Sequence, residues 1–228
     1  MHIGLIPDGN RRFMRRKGIH DLEESYRRGI EKFHQFMEWC IELGVRGLTI
    51  YALSIENIKN RSYREVNTLL NLFSDYALNS LEDERIHKNG IRINFCGDRE
   101  SLSSFGNPTG KRVVENMNRL EDRTKDYKNF KLNIALAYGG RQEIIHAVSK
   151  VINSGLELNE ENLRENLWVK DYPDIIIRTA ESRLSNFLLW QCAYSEIYFI
   201  DKLWQEIEKD DLIEVLNDYN ARERRFGR

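Results

Sequence analysis

Cysteine is scarce in this 228-residue chain. Cys40, Cys96 and Cys192 are far apart, odd in number and free of any C-x-x-C spacing. That pattern excludes a disulfide framework and a cysteine zinc site, and it points to reduced thiols in a cytoplasmic protein. The five histidines form no H-x-x-x-H pair, so the helical zinc-protease signature is missing too. No apolar stretch reaches the ~18 residues of a membrane span. The chain opens straight into an apolar strand, which leaves no room for a signal peptide. Net charge is −1, without the overall basic excess that a duplex reader carries, so nucleic acid is not the expected partner. G-x-x-x-x-G-K-[ST] and G-x-G-x-x-G are both absent, which excludes the usual nucleotide loops. Internal repeats, linkers and low-complexity tracts are lacking as well. The expectation is a soluble, cytoplasmic chain folding as one domain over residues 1–228, long enough to bury a substantial core.

What is present is charge, and it is local. Charged residues make up 31% of the chain. Basic residues gather at 11–17 and 222–228, acids at 157–165 and 206–211. The first basic cluster follows Ile3-Gly4-Leu5-Ile6-Pro7-Asp8-Gly9-Asn10-Arg11-Arg12. An apolar strand stopping at Asp-Gly-Asn brings a carboxylate and free backbone N–H groups to one edge of a sheet. In open α/β sheets, ligands bind at the carboxyl ends of the strands. The arginines call for an anionic ligand, and the single Asp8 among them suggests a metal on that anion.

Six short runs read as strands: residues 3–6, 48–53, 91–96, 132–137, 174–177 and 196–200. Several are continuously apolar, as parallel strands covered on both faces are. Between them lie helical periodicities. A 3.6-residue stripe runs over 22–43 and another over 63–87, with further helices expected near 111–125, 142–153, 160–167 and 210–220. Alternating strands and helices predict an α/β fold, a central parallel sheet of about six strands flanked by helices. The 101–110 stretch, with Gly106, Pro108 and Gly110, reads as an exposed loop. Leu72 and Leu78 fall off the stripe of the 63–81 helix, so that helix is either buried on two sides or lines an apolar cavity.

Most strand ends are followed by polar or glycine-containing groups, with an arginine in or near each. These are Asp8-Gly9-Asn10-Arg11-Arg12, Ser54-Ile55-Glu56-Asn57 with Arg61, Gly97-Asp98-Arg99, Tyr138-Gly139-Gly140-Arg141, and Arg178-Thr179-Ala180-Glu181-Ser182-Arg183 with Ser185-Asn186. Arginine presents a planar fork of donors matched to phosphate oxygens, and helix N-termini add more donors. Any one of these arginines is adequately explained by pairing with a surface acid. Arg12, Arg178 and Arg183 together favour an anion site.

On these blocks the chain resembles the cis-prenyltransferases, the undecaprenyl and dehydrodolichyl diphosphate synthases. The resemblance runs from His2 to Gly227. It rests on Asp8-Gly9-Asn10-Arg11-Arg12, Tyr51-Ala52-Leu53-Ser54-Ile55-Glu56-Asn57, Cys96-Gly97-Asp98, Asn133 to Arg141, Ile177-Arg178-Thr179, Arg183 to Gln191, and Arg222-Glu223-Arg224-Arg225-Phe226-Gly227. It implies a transferase that joins isopentenyl diphosphate to an allylic prenyl diphosphate with a Z double bond. It also implies an apolar tunnel for the growing chain, Mg²⁺ as cofactor and a homodimer.

The resemblance implies roles for single residues. Asp8 would hold Mg²⁺ on a diphosphate, with Glu196 reaching the metal across the dimer. Gly9, Asn10, Arg11, Arg12 and Phe13 would form the allylic diphosphate site. Arg178, Arg183 and Ser185 match positions that bind isopentenyl diphosphate. Ser54, Asn57, Arg61 and Glu65 match further active-site positions, with Asn57 assisting proton removal. Arg225 and Gly227 match a C-terminal motif that completes the neighbouring subunit's site. A lipid product implies transient contact with a membrane surface.

The chain departs from the family pattern in four places. Phe13 and Ile58 stand where tryptophan is usual. Segment 18–29 is one residue longer than in bacterial relatives and lacks their arginine and histidine, with Tyr26 at the histidine position. Residues 178–183 have lost one glycine of an Arg-Thr-Gly-Gly-Glu-x-Arg pattern, and Ala180 replaces the other. These changes leave a second reaction open, the non-head-to-tail condensation of two allylic diphosphates. A non-catalytic partner subunit is the other alternative, and the retention of Asp8, Arg12 and Glu196 argues against it.

Overall fold

Six apolar segments pair edge to edge in the computed structural model, which describes residues 1–106 and 108–222. They are β1 (His2–Ile6), β2 (Gly47–Ser54), β3 (Ile91–Cys96), β4 (Phe130–Tyr138), β5 (Ile175–Thr179) and β6 (Glu196–Ile200). All pairings are parallel, in the order β3-β4-β2-β1-β5-β6. All six expected strands are present. β2, β4 and β5 run slightly past their apolar stretches, so Ser54, Tyr138, Arg178 and Thr179 belong to the strands themselves.

Strand residues alternate between two buried faces. Ile3, Leu5, Ile175, Ile177, Leu132 and Ile134 join one apolar cluster, while Ile6, Ile176 and Ala135 join another with Tyr138, Phe187 and Leu188. Covering on both sides explains why these strands read as near-continuous apolar runs.

Helices fill the connections. In chain order they are α1 (Asn10–Arg16), α2 (Leu22–Glu42), α3 (Ile55–Asn60), α4 (Tyr63–Ser80), α5 (Glu84–Lys88), α6 (Arg99–Ser104), α7 (Thr109–Thr124), α8 (Gly140–Asn153), α9 (Glu160–Asn166) and α10 (Lys209–Ala221). Short polar side chains start many of them, as orphan N–H groups require. Asp21, Ser54, Ser62, Asp83, Asp98 and Asn159 each accept a backbone N–H in the first turn of the helix that follows.

Two expectations are corrected here. The stripe over 63–87 is not one helix. It breaks at 81–83, where Asp83 caps α5. The 101–110 stretch is not simply an exposed loop. Asp98 caps α6 within it, and Gly110 is buried in α7, where a Cβ would lie 2.1 Å from the carbonyl oxygen of Leu102. That glycine serves close packing of α6 on α7.

β1 sits between β2 and β5, and the chain leaves these neighbours in opposite directions: β1 connects to β2 on one side, β5 to β6 on the other. The carboxyl ends of β1 and β5 therefore flank a topological switch point, the place where open α/β sheets form a crevice.

The opposite end of the sheet is closed by a polar network. The His2 ring meets the Thr49 hydroxyl at 2.7 Å, and Asn133 donates to both Thr49 and Asp171. Burial lowers the His2 imidazole to about 4, with Lys131 adding to the effect and Asp171 and Asp174 opposing it. An unfolded histidine titrates near ~6.5, so between ~6.5 and ~4 the unfolded chain binds a proton that the folded chain does not. Stability is therefore fully expressed above pH ~6.5 and declines as pH falls through this window. Urea unfolding at pH 7 and pH 4.5 should show the decline, and His2→Gln should flatten it by on the order of 1–2 kcal/mol.

Candidate active site

The crevice at the switch point opens into a cavity of about 960 Å³. Its mouth is polar, with Asp8, Gly9, Asn10, Arg11, Arg12, Ser54, Asn57, Arg61, Arg178, Arg183 and Ser185 all on its wall. Its interior is apolar, walled by Ile30 and Phe33 of α2, Ile50 of β2, Ile134 of β4, and Leu69, Leu72 and Phe73 of α4. The second face of α4 thus lines a cavity through Leu72. Leu78, the other residue off the stripe, is 38% exposed instead.

Asp8 is held from several directions. The Thr179 hydroxyl accepts from the Asp8 N–H and donates to its carbonyl, both at 2.8 Å. The Trp204 N–H donates to the same carbonyl at 3.0 Å. On the side chain, Oδ1 accepts from the Gly9 N–H and Oδ2 from Arg178 at 2.8 Å. Gly9 has φ +110, and a Cβ there would come within about 3 Å of Leu203, so this turn requires glycine. Arg178 is buried within β5 and also donates to the Arg183 carbonyl and the Ser185 hydroxyl. One guanidinium thereby ties the β1 carboxylate to the loop after β5.

Arg12 donates to the Ala180 carbonyl at 2.9 Å and lies 3.1 Å from Glu181, which also pairs with Arg183 at 3.2 Å. The loop carrying these groups is strained. Ala180, Ser185, Asn186 and Leu188 all have positive φ, between 45° and 65°. Such conformations cost roughly 1–2 kcal/mol each outside glycine and concentrate where the surrounding contacts enforce them.

Across the mouth, Glu65 accepts two contacts from Arg11 and one from Tyr26, and Arg61 lies 3.4 Å away. Burial alone would raise the Glu65 carboxyl. The hydrogen bonds from Arg11 and Tyr26, with the charge of Arg61, outweigh it and hold the group below the usual carboxylate range. Burial pushes the Tyr26 phenol up to about 12. Glu65 does not face the cavity. It fixes the arginines that do.

Other expected site residues fall elsewhere. Phe13 is buried in the core side of α1 and lines no part of the cavity. Glu196 begins β6 level with Ile175, at the amino end of the sheet, where it meets Arg222 at 3.3 Å and accepts from Tyr198. Arg225 and Gly227 lie outside the described residues. The cavity also presents Arg15, Glu56, Glu181 and Asn186, which the motif blocks did not single out as ligand-binding positions. Their only signal was proximity in sequence to residues that were.

The family model described as "Putative undecaprenyl diphosphate synthase" matches residues 6–227. The chain belongs to this prenyltransferase family. It is 43% identical to a tritrans,polycis-undecaprenyl-diphosphate synthase (geranylgeranyl-diphosphate specific) of Picrophilus torridus, covering 99% of this chain and 89% of that one. It is 43% identical to an isoprenyl transferase of Thermus thermophilus, covering 100% and 88%. Among solved structures it resembles lavandulyl diphosphate synthase from Lavandula x intermedia, in complex with dimethylallyl diphosphate, with a TM-score of 0.88, 28% identity and coverage of 100% and 98%.

The backbone at residue 180 has a local cost. Ala180 sits at φ 62, a left-handed conformation. Ala180→Gly removes the Cβ conflict but loosens the unfolded chain, so a net gain of about 0.5–1 kcal/mol is expected. Thermal unfolding should register it as a rise of about 1–4 °C.

Proposed function

We propose that this chain is a cis-prenyltransferase that condenses isopentenyl diphosphate with an allylic prenyl diphosphate, forms a Z-prenyl diphosphate and releases diphosphate. The observation that carries this reading is the continuity of one cavity. An arginine-rich mouth around a single aspartate leads directly into an apolar interior. A molecule with a diphosphate head and a hydrocarbon tail matches both halves.

Residues Gly9 to Arg12 cradle the allylic diphosphate, and Arg178, Arg183 and Ser185 hold the isopentenyl diphosphate. The allylic C–O bond breaks, the isopentenyl double bond attacks the allylic carbon, and a proton leaves the new unit. Asn57, on the cavity wall, positions the departing proton through its side-chain carbonyl. Arg12 meets the negative charge that gathers on the leaving diphosphate. The hydrocarbon tail lies along Phe33, Leu69, Leu72 and Phe73.

The donor set at Asp8 suits Mg²⁺. This ion is commonly bound by one or two carboxylates together with substrate phosphates. Each Asp8 oxygen accepts one hydrogen bond, and an ionised carboxylate offers about four acceptor positions. Among the described residues no group of three or more His, Cys, Asp or Glu could cage a metal, so the fit is to an ion shared with the diphosphate. Mg²⁺ bound there would neutralise charge on the leaving group.

Glu196 lies near the level of Ile3, about 15 Å along the strand direction from Asp8, so it serves a metal only from a second copy. Tyr194, Ile197 and Phe199 expose apolar surface around it on the edge strand, which supports a homodimer. Arg225 and Gly227 would then complete the neighbouring site. No helix among the described residues is long and apolar enough to cross a membrane. A cytoplasmic enzyme of one catalytic domain, touching a membrane surface only through its lipid product, fits this reading.

A second reaction, condensation of two allylic diphosphates, is favoured by one observation, the left-handed backbone of Ala180 between Arg178 and Arg183 at the second diphosphate site. Product masses from dimethylallyl or geranylgeranyl diphosphate, with and without isopentenyl diphosphate, separate the two. Products growing in C5 steps only when isopentenyl diphosphate is present support the first reading.

Asp8→Ala should lower kcat by at least about 10³-fold with an unchanged circular dichroism spectrum. Near-normal turnover would sink the metal assignment. Arg183 is exposed, so Arg183→Ala should leave the fold alone and raise KM for isopentenyl diphosphate about tenfold. An unchanged KM in steady-state assays would remove Arg183 from that site.

A further inference from the structure

Among the described residues six arginines line the cavity, and five of them are already engaged. Arg11 holds Glu65 through both carboxylate oxygens. Arg12 and Arg183 share Glu181. Arg61 reaches Tyr26 and Glu65, and Arg178 holds Asp8. The sixth is Arg15. It is exposed in the last turn of α1, one turn beyond Arg11, and among the described residues it has no carboxylate partner.

Among the described residues, the α2 side of the mouth offers no free arginine or phenol donor in its place. Tyr26 has one hydroxyl proton, which it donates to Glu65, while its oxygen accepts from Arg61. Arg27 and Arg28 are paired with Glu23 and Glu24 on their own helix. A diphosphate entering from this side meets Arg15 as a cation that it need not first free from an acid.

We propose that Arg15 is a substrate-binding residue that anchors the allylic diphosphate. The inference rests on the prenyltransferase reading and extends it to a residue outside the motif blocks. Arg15 adds its full charge and its fork of donors without breaking an ion pair. Arg11 must give up a two-point contact before it can do the same. The neighbouring Arg16 is the natural control. It lies in the same last turn, is also exposed, pairs with Glu206 at 2.7 Å and does not line the cavity.

The test is calorimetric titration of the full chain with inorganic pyrophosphate in Mg²⁺ buffer, for wild type, Arg15→Gln and Arg16→Gln. It is paired with steady-state kinetics on dimethylallyl or geranylgeranyl diphosphate. Arg15→Gln should weaken pyrophosphate binding about tenfold and raise KM for the allylic substrate by a similar factor, with kcat within about twofold. Arg16→Gln should stay within about twofold of wild type in all three quantities. Equal losses in the two variants would reduce Arg15 to long-range charge and overturn the proposal. Wild-type affinity and KM in Arg15→Gln would overturn it as well, while leaving the prenyltransferase reading intact. Wild type that neither binds pyrophosphate nor turns over allylic substrate would sink that reading itself, and the inference with it.

Discussion

The contact between Asp8 and Arg178 organises everything around it. Two adjacent parallel strands end side by side. One delivers a carboxylate just past its end, the other a guanidinium from within it. Arg178 is almost wholly buried, while Asp8 is about one-third exposed and opens to the cavity. Truncating one partner of a buried pair typically costs about 3–5 kcal/mol, and the exposure of Asp8 lowers that figure here. The hydroxyl of Thr179 locks the same two strands a second time through the Asp8 backbone. The carboxylate is therefore oriented before any ligand arrives.

Strain follows from that pairing. Arg178 and Arg12 pull on carbonyls of the following loop, those of Arg183 and Ala180. The loop answers with four non-glycine residues in left-handed backbone. Phe187 and Leu188, in the middle of it, are fully buried against β1, beside Gly4. Packing on one side and hydrogen bonds on the other together hold a conformation that no residue in the loop prefers.

Much of this was legible in sequence, for identifiable reasons. The inner strands are buried on both faces and read as apolar runs, and all six strands were readable. α2 was readable because its stripe is long and Asp21 caps it. α1 was not, because its N-cap is Gly9, which offers no side chain to signal a helix. α3 carried a signal in Ser54, but its six residues are too few for periodicity to show. Asp8, Asn57, Arg178 and Ser185 come from separate blocks of the sequence and all line one cavity. Sequence could not say that Glu65 faces arginines rather than the cavity, or that Phe13 turns inward. Those facts depend on how α1 leans on α2 and on the turn at Trp204, a tertiary matter that spacing along one helix does not encode.

Nearly every arginine in the mouth already meets a carboxylate, five of them sharing Glu65, Glu181 and Asp8. A cleft built this way takes up anions by exchange rather than by addition. On the proposed prenyltransferase reading, each arriving diphosphate oxygen would take the place of Glu65 or Glu181 on a guanidinium, and each departure would let the acid return. The internal acids would then act as standing competitors for the product. Tight ionic capture and prompt release, which conflict in a purely cationic pocket, would be reconciled by side chains that never leave the protein.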